Sequence, residues 1–257
     1  MKKILFVIAK YKDEKEKIFK EIISPKNKNY CDKHGFKYVV IDSKTEIPIF
    51  RNNTTWNKLT VIRDLIDSGK LQNGDVIINQ DADMIWYNDN FSYEPADNKS
   101  FSISIDSGNT FCFGSIGFKI NDWSKRLITD ILDENLWNST LPLLYNDESF
   151  PEKPPFSFAN LFREQAMFYY LFGIKKHSWK PFKDIENFGI HSDVTEFTKY
   201  SLEEAHENLD IKPTNFNVTC WENESDLTYY INLLNNKSDV YLRHFTGCDW
   251  NVVKNWI

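Results

Sequence analysis

Apolar and polar positions follow two spacings in the first part of the chain. Residues 4–9 form a continuous apolar run with β-branched members, which is typical of a strand buried on both faces of a parallel sheet. Apolar residues recur at near-helical spacing over residues 16–34, where Pro25 is expected to divide the helix and Gly35 to end it. Residues 38–41 predict a second buried strand. The order strand, helix, strand predicts a right-handed βαβ unit.

The next helix and strand lead to two carboxylates. Residues 56–67 place their apolar side chains on one face of a helix, and Gly69 is expected to end it. Residues 75–78 predict a buried strand that delivers Asp81 and Asp83 at its carboxyl end. In open α/β sheets, ligands bind beyond the carboxyl ends of the strands. We therefore expect a ligand-binding site at these two aspartates.

The middle of the chain predicts two further extended segments. Residues 101–105 alternate between apolar and polar positions, as a strand does. Residues 111–120 predict another strand, and Gly114 and Gly117 within it are expected to let a neighbouring group approach the backbone closely.

The second half of the chain is less regular. Residues 122–136 and residues 160–172 each predict a helix. The candidates for the N-cap of the first helix are Asn121 and Asp122. Residues 141–158 are rich in proline and aromatic residues, and we interpret them as a long functional loop. Beyond residue 173 we expect short strands and turns, with one more helix near residues 226–234.

Composition agrees with one globular α/β domain. The chain has 257 residues, of which 41% are hydrophobic, and we assign residues 1–257 to a single domain. We expect a nucleotide-binding half over about residues 1–105 and a less regular half over about residues 106–257. A formal net charge of -6 argues against a nucleic-acid partner. No apolar run approaches the roughly 20 residues of a transmembrane helix, so we expect a cytoplasmic protein or one peripheral to a membrane.

Asp81 and Asp83 are candidate ligands of a divalent cation. Mg²⁺ and Mn²⁺ prefer oxygen ligands and keep room for substrate phosphates. A carboxylate that follows a buried strand is costly unless it is paired, metal-bound or open to water. The alternative is a turn in which the aspartate side chains accept hydrogen bonds from nearby backbone amides.

His244 is a further candidate ligand. Residues 241–247 predict a strand that runs into a turn, from which an imidazole could complete the coordination begun by the two aspartates. Taken alone, such a histidine is more often a partly buried residue with satisfied hydrogen bonds. Its assignment to a metal site therefore depends on Asp81 and Asp83.

Five short motifs succeed one another along nearly the whole chain. They are the segment 29–38, Trp56-Asn57-Lys58, Asp81-Ala82-Asp83-Met84, Arg163-Glu164-Gln165-Ala166 and His244-Phe245-Thr246-Gly247. In order and spacing they resemble the galactosyl/mannosyl/xylosyltransferase family, which has glycogenin-like relatives. The resemblance implies an α/β fold of the GT-A type. That fold has a Rossmann-like nucleotide-binding half with a mixed, mainly parallel sheet flanked by helices, and a less regular acceptor half.

The resemblance also implies a site for a nucleotide-sugar donor and a metal ion, Mn²⁺ or Mg²⁺. The implied metal ligands are Asp81, Asp83 and His244. The residues implied in binding the nucleotide or its phosphates are Ala9, Lys10, Tyr11, Lys58, Asp81 and Gly247. The implied catalytic residues are Gln165, beneath the anomeric carbon of the donor sugar, and Glu164. Either of them would stabilise positive charge on the sugar or orient the acceptor hydroxyl.

Two positions depart from the family pattern. Glu164 stands where the family usually carries an aspartate. Trp250 stands where related enzymes place a lysine on the diphosphate, and Lys254 or Arg243 could supply that charge instead. Stabilisation of the leaving group is therefore the least defined part of the expected site.

The function expected from the resemblance is the transfer of a hexose or pentose with retention of the anomeric configuration. The donor would be a nucleotide-diphosphate sugar, with UDP favoured, and the acceptor a hydroxyl of a carbohydrate or glycoconjugate. Two alternatives stay open: a phosphatase of the haloacid-dehalogenase type, which also has D-x-D after an apolar strand, and a nucleotide-sugar-binding module without turnover. Glu164 and Trp250 are the features that would support the binding module.

Overall fold

The apolar run near the N-terminus forms an inner strand of a six-stranded sheet. The structure is a computed structural model that describes residues 1–52, 54–86, 89–105, 111–145, 158–172, 199–212, 216–217 and 242–244. Strand β1 (Lys3–Ala9) pairs in parallel with β2 (Lys37–Asp42) on one side and with β3 (Val76–Asp81) on the other. Parallel strands need a crossover between them, and here each crossover contains a helix.

The crossover from β1 to β2 contains three consecutive helical segments. They are α1 (Asp13–Ile18), a π-helical turn (Phe19–Ile23) and α2 (Ser24–His34). Pro25 lies in the first turn of α2, where a missing backbone N–H is tolerated. Ile23 and Ser24 before it keep right-handed helical dihedral angles, so the chain stays helical from α1 through α2 and the predicted break at Pro25 is wrong. Gly35 ends α2 in the left-handed conformation, with φ of 72°, as the sequence predicted.

The strand predicted at residues 38–41 exists, but its predicted burial is wrong. Among the described strands, β2 pairs with β1 alone and lies at one edge of the sheet. Its side chains are half-buried or exposed, and Val40 is 37% exposed. An apolar run predicts the strand, whereas burial depends on whether a further strand or helix covers it, which a local pattern does not encode.

The other half of the sheet is mixed. Strand β6 (Phe111–Lys119) pairs antiparallel with β3, and β5 (Phe101–Ile105) pairs antiparallel with β6. Strand β7 (Leu209–Lys212) then pairs in parallel with β5, which gives the order β2-β1-β3-β6-β5-β7. Three of these five pairings are parallel, so the expected α/β class with a mixed, mainly parallel sheet is confirmed.

A second, smaller sheet lies where β3 ends. It contains, in this order, β4 (Met84–Trp86), β9 (Leu242–His244) and β8 (Phe216–Asn217). β4 is antiparallel to β9, and β8 is parallel to it. This small sheet brings a segment from the end of the chain beside the residues that come after β3.

Helices cover both faces of the larger sheet. The remaining helices are α3 (Asn57–Asp67), α4 (Asp122–Ile131), α5 (Glu134–Tyr145), α6 (Phe158–Leu171) and α7 (Leu202–Asn208). Leu5 and Val7 of β1 belong to the core cluster that includes residues of α1, the π turn and α2. Phe6, between them, belongs to the cluster that includes residues of α3, α4 and α6. Successive side chains of a strand point to opposite faces, which accounts for the two clusters.

The helix predicted at residues 122–136 is divided into α4 and α5. Asn121 caps α4, because its side chain accepts from the backbone N–H of Ser124 in a reciprocal capping box. The division follows from a second cap: the Asp133 carboxylate accepts from the backbone N–H of Leu136 at 2.9 Å and so starts α5. A capping aspartate inside an apolar-periodic stretch is the signal that the prediction overlooked.

Three further predictions for the second half of the chain have different outcomes. The loop predicted at residues 141–158 is wrong at both ends, because α5 continues to Tyr145 and α6 starts at Phe158. Residues 146–157 and the helix predicted near residues 226–234 lie outside the described residues. Helix α7 was not predicted, although Ser201 and Glu204 form a capping box at its start. Within the described part of the chain, every helix is too short or too polar to cross a bilayer.

Gly117 of β6 lies close to Ser102 of β5, Ile78 of β3 and the backbone of Tyr93. A Cβ atom at this position would clash with Ser102 Oγ and would lie 3.3 Å from Ile78 Cγ1 and 3.4 Å from the carbonyl oxygen of Tyr93. Ser102 is fully buried, and its hydroxyl donates to the Tyr93 carbonyl oxygen at 2.7 Å, so rotating it away would break that hydrogen bond. The close approach predicted for Gly117 is confirmed.

We expect Gly117→Ala to lower the free energy of unfolding by about 1–3 kcal/mol, as overpacking a well-filled core does. The measurement is urea denaturation followed by circular dichroism. Because the nearest clash is with the Ser102 hydroxyl, the double variant Gly117→Ala/Ser102→Ala should lose less stability than the sum of the two single variants. Additive losses would show that the new methyl group does not meet Ser102.

Candidate functional site

Asp81 and Asp83 lie at the carboxyl end of β3. Asp81 is the last residue of the strand and pairs with Ile8 of β1, and the turn after it leads directly into β4. Both aspartates are half-buried, and the Asp81 side chain is 37% exposed. Because the preceding residues of β3 are buried between the two core clusters, the strand fixes the position from which the two carboxylates leave the sheet.

Tyr11 lies within electrostatic reach of both carboxylates. It comes after β1, the strand that pairs with β3, and is half-buried against the α1–α2 side of the core. Burial, and then the negative charges of Asp83 and Asp81, raise the pKa of the Tyr11 phenol above its ordinary value. Tyr11 therefore stays neutral at physiological pH and adds no charge to the site.

Lys58 joins three elements of the fold at a buried position. Its Nζ atom lies 3.1 Å from Asp81 Oδ1, 3.3 Å from Glu164 Oε1 and 2.8 Å from the carbonyl oxygen of Phe113. These three acceptors match the three N–H donors of an ammonium group. The Lys58 side chain is only 7% exposed, so its charge requires such partners. Helix α3 is thereby tied to β3, β6 and α6.

Two opposing effects determine the charge state of Lys58. Desolvation lowers the pKa of its ammonium group, whereas the charges and hydrogen bonds of Asp81 and Glu164 raise it. The carboxylates have the larger combined effect, and the pKa of Lys58 ends above its ordinary value. Lys58 is therefore positively charged at physiological pH and neutralises one of the carboxylates around it.

Helix α6 brings Glu164 and Gln165 to the same cluster. Both are buried, at 5% and 9% exposure. Glu164 pairs with Lys58, and Gln165 Oε1 accepts from the backbone N–H of Phe113 at 3.4 Å. The backbone of Phe113 in β6 thus accepts a hydrogen bond from Lys58 through its carbonyl oxygen and donates one to Gln165 through its N–H. The sequence prediction missed Phe113, since it contributes backbone atoms and leaves no side-chain signal.

The small sheet places the backbone of His244 beside the acidic pair. Met84, the residue after Asp83, is the register partner of His244 in the antiparallel pairing of β4 with β9. Of His244 the structure describes the backbone. Residues that are far apart in sequence therefore meet at one place, as a shared site of Asp83 and His244 requires.

The described part of this site fits a divalent cation in donor type and in charge. Asp81 and Asp83 offer carboxylate oxygens, the ligands that Mg²⁺ and Mn²⁺ prefer. At neutral pH, three carboxylates and one ammonium group, those of Asp81, Asp83, Glu164 and Lys58, leave two net negative charges. After burial, the charges of Asp83 and Asp81 are the causes that raise the pKa of the Tyr11 phenol. No group of three or more His, Cys, Asp or Glu side chains suited to a metal occurs among the described residues.

The other residues expected at the site differ in exposure, and some of them lie outside the described residues. Ala9 is buried at the end of β1 and pairs with Asp42 of β2. Lys10, the next residue, is exposed. Gly247, Trp250 and Lys254 lie outside the described residues.

Comparison with known proteins supports the fold. No family model and no curated protein matches this chain. Among solved structures, a glycosyltransferase involved in the glycosylation of the major capsid of PBCV-1 aligns over 98% of this chain and 98% of its own, with a TM-score of 0.50 and 8% sequence identity. At this identity the likeness establishes the fold and not the activity. The chain thus has the fold of a glycosyltransferase, consistent with the GT-A type, whereas membership of the galactosyl/mannosyl/xylosyltransferase family stays a prediction.

Two other solved structures align less well. The glycosyltransferase GlyE of Streptococcus pneumoniae TIGR4, in its apo form, covers 100% of this chain and 63% of its own, with a TM-score of 0.41 and 14% identity. The catalytic domain of Drosophila beta1,4galactosyltransferase 7 covers 51% of this chain and 52% of its own, with a TM-score of 0.35 and 14% identity. TM-scores in this range do not establish a common fold.

We expect Lys58→Met to lower the free energy of unfolding by about 3–5 kcal/mol, because it leaves buried Glu164 without its counter-charge. Chemical denaturation at neutral pH measures this. The raised pKa of Lys58 means that its contribution to stability is complete below its unfolded-state pKa and is lost as the pH rises through the folded-state pKa.

The double variant Lys58→Met/Glu164→Gln is the matched control for Lys58→Met. It removes both buried charges and should recover part of the lost stability. If Lys58→Met alone is as stable as the unmodified protein, Lys58 and Glu164 do not form a buried ion pair.

Proposed function

We propose that this chain is a metal-dependent glycosyltransferase. Its donor is a nucleotide-diphosphate sugar, with UDP favoured by the motif resemblance, and its acceptor is a hydroxyl of a glycan or another glycoconjugate. The single observation that carries the proposal is the pair of carboxylates at the carboxyl end of β3, of which Asp81 contacts a buried lysine, inside a glycosyltransferase fold. Retention of the anomeric configuration is part of the proposal and comes from the resemblance alone.

The charge of the described cluster supports a complex of metal and diphosphate. Two net negative charges suit one divalent cation, and Asp81, Asp83 and His244 are the residues that would hold it. Bound there, Mn²⁺ or Mg²⁺ supplies Lewis-acid stabilisation of the diphosphate that leaves the sugar. Lys58 orients the Asp81 carboxylate through the contact of 3.1 Å and limits the repulsion between Asp81 and Glu164. Ala9, Lys10 and Tyr11, at the end of β1 or just after it, are assigned to the nucleotide, as is Gly247 to a phosphate.

The contacts of α6 support different roles for its two catalytic candidates. Glu164 is buried and paired with Lys58, so its carboxylate is engaged in positioning that lysine. Gln165 has its oxygen on the Phe113 N–H, which fixes the orientation of the amide. We assign the contact with the donor sugar to Gln165 and the support of Lys58 to Glu164. Positive charge that develops on the sugar ring would then be stabilised by the net negative charge of the cluster.

The proposal is tested by incubating the protein with a panel of nucleotide sugars, with and without Mn²⁺, and by measuring the released products. A glycosyltransferase releases nucleoside diphosphate slowly in the presence of metal, even when water is the acceptor. A phosphatase releases inorganic phosphate, and a binding module releases neither product. Either of these last two results contradicts the proposal.

We expect Asp83→Ala to lower Mn²⁺-dependent donor turnover at least about 100-fold, comparable to the loss of one strong electrostatic contact in a transition state. The measurement is kcat/KM for release of nucleoside diphosphate. The fold should persist, since Asp83 lies in a turn and is half-buried. Asp64→Asn, on α3 with a side chain that is 63% exposed, is the control and should keep full turnover. Equal turnover in Asp83→Ala and the unmodified protein would remove Asp83 from the metal site.

We expect His244→Ala to raise the Mn²⁺ concentration needed for half-maximal turnover by about 10-fold or more, because the metal loses a ligand. A Mn²⁺ titration at saturating donor measures this. His206→Ala, an exposed histidine on α7, should leave the titration unchanged. Identical titrations for His244→Ala and the unmodified protein would exclude His244 as a ligand.

A further inference from the structure

Two buried amide side chains converge on one carbonyl oxygen next to the acidic pair. The carbonyl oxygen of Met84 accepts from Gln80 Nε2 at 2.7 Å and from Asn27 Nδ2 at 3.1 Å. Gln80 and Asn27 are both fully buried, with 0% exposure. Burying an amide costs free energy unless it is hydrogen-bonded, and these two contacts satisfy the nitrogen ends of both amides.

The hydrogen bond from Gln80 closes the turn that carries the carboxylates. Gln80 is the residue before Asp81, and Met84 is the residue after Asp83. A side chain at the end of β3 therefore holds the first residue of β4, and the two aspartates lie between these fixed points. Because the hydrogen bond holds Gln80 and Met84 at a fixed distance, the turn between them can adopt few conformations.

Helix α2 holds β4 from the other side. Asn27 of α2 reaches the Met84 carbonyl, and one turn later Tyr30 stacks on Trp86 with ring centroids 3.7 Å apart and an interplanar angle of 6°. The Tyr30 hydroxyl also accepts from the backbone N–H of Tyr93 at 2.8 Å. A short strand of three residues is thus fixed at its first and last positions to a long helix.

The position of Met84 also determines where β9 pairs with β4. Met84 is the register partner of His244. A shift of Met84 would therefore move the turn with Asp81 and Asp83 and also the strand that carries His244. One residue links all three of the proposed metal ligands.

We propose that Asn27 and Gln80 are positioning residues that set the metal-binding geometry of this site. The inference rests on the proposed function and assigns to the two amides a role outside the ligand set. Metal sites need their donor atoms held to within a fraction of an ångström, and residues that support the ligands typically change metal affinity by about 10–100-fold when they are replaced. A purely structural amide would lower stability and leave metal affinity unchanged.

The test compares Asn27→Ala with a matched control, Asn79→Ala. Asn79 is also buried, at 1% exposure, and also donates to a backbone carbonyl, that of Phe6 at 3.4 Å, but inside the sheet. Gln80→Met is the second variant, because it keeps the length of the side chain and removes only its polar end. The two readouts are Mn²⁺ affinity, from the paramagnetic resonance signal of unbound Mn²⁺, and the free energy of unfolding in urea.

We expect Asn27→Ala and Gln80→Met each to weaken Mn²⁺ binding by about 10-fold or more, whereas Asn79→Ala loses stability and keeps its Mn²⁺ affinity. If Asn27→Ala and Gln80→Met bind Mn²⁺ like the unmodified protein, the inference is wrong and the proposed function stands. If the unmodified protein binds no Mn²⁺, the proposed function is wrong, and the inference falls with it.

Discussion

The contact of buried Lys58 with two carboxylates is the interaction on which the site depends. Asp81, Glu164 and Lys58 come from β3, α6 and α3, and the buried charges of Glu164 and Lys58 would be costly without a partner. Because Lys58 carries a positive charge, Glu164 of α6 can lie near Asp81 at the end of β3 with less repulsion. Backbone atoms of Phe113 complete the arrangement, so β6 is fixed by the same group. The same contacts therefore join elements of the core and position residues of the site.

The opposite side of the acidic pair is organised without charges. There the amides of Asn27 and Gln80 and the stacked rings of Tyr30 and Trp86 hold β4. The two sides meet at the turn between β3 and β4, which is short and has little freedom of its own. A rigid surrounding structure of this kind agrees with the proposed metal site, which would have to present two carboxylates to one ion.

The sequence was sufficient to predict most of the elements and the position of the acidic pair, because both depend on local patterns. β1, β3 and α3 carry unbroken apolar runs or a clear helical spacing, and the pair comes directly after β3. Burial of β2 was predicted wrongly, since an edge strand and an inner strand can share the same apolar run. The contact between Lys58 and Glu164 joins residues far apart in sequence, and no local pattern encodes it. Phe113 acts through its backbone N–H and carbonyl oxygen, which any residue type except proline would provide.

The π-helical turn at Phe19–Ile23 affects how many residues the crossover from β1 to β2 needs. A wide turn of this kind accommodates one additional residue in a helix without changing the direction of α2. If the same residues formed a regular α-helix, α2 would be rotated by about 100° about its axis, and Asn27 and Tyr30 would face away from β4. A homologue that lacks one residue here could therefore have an unbroken α-helix and preserve the same contacts. Single-residue differences in length at this point are compatible with an unaltered binding site.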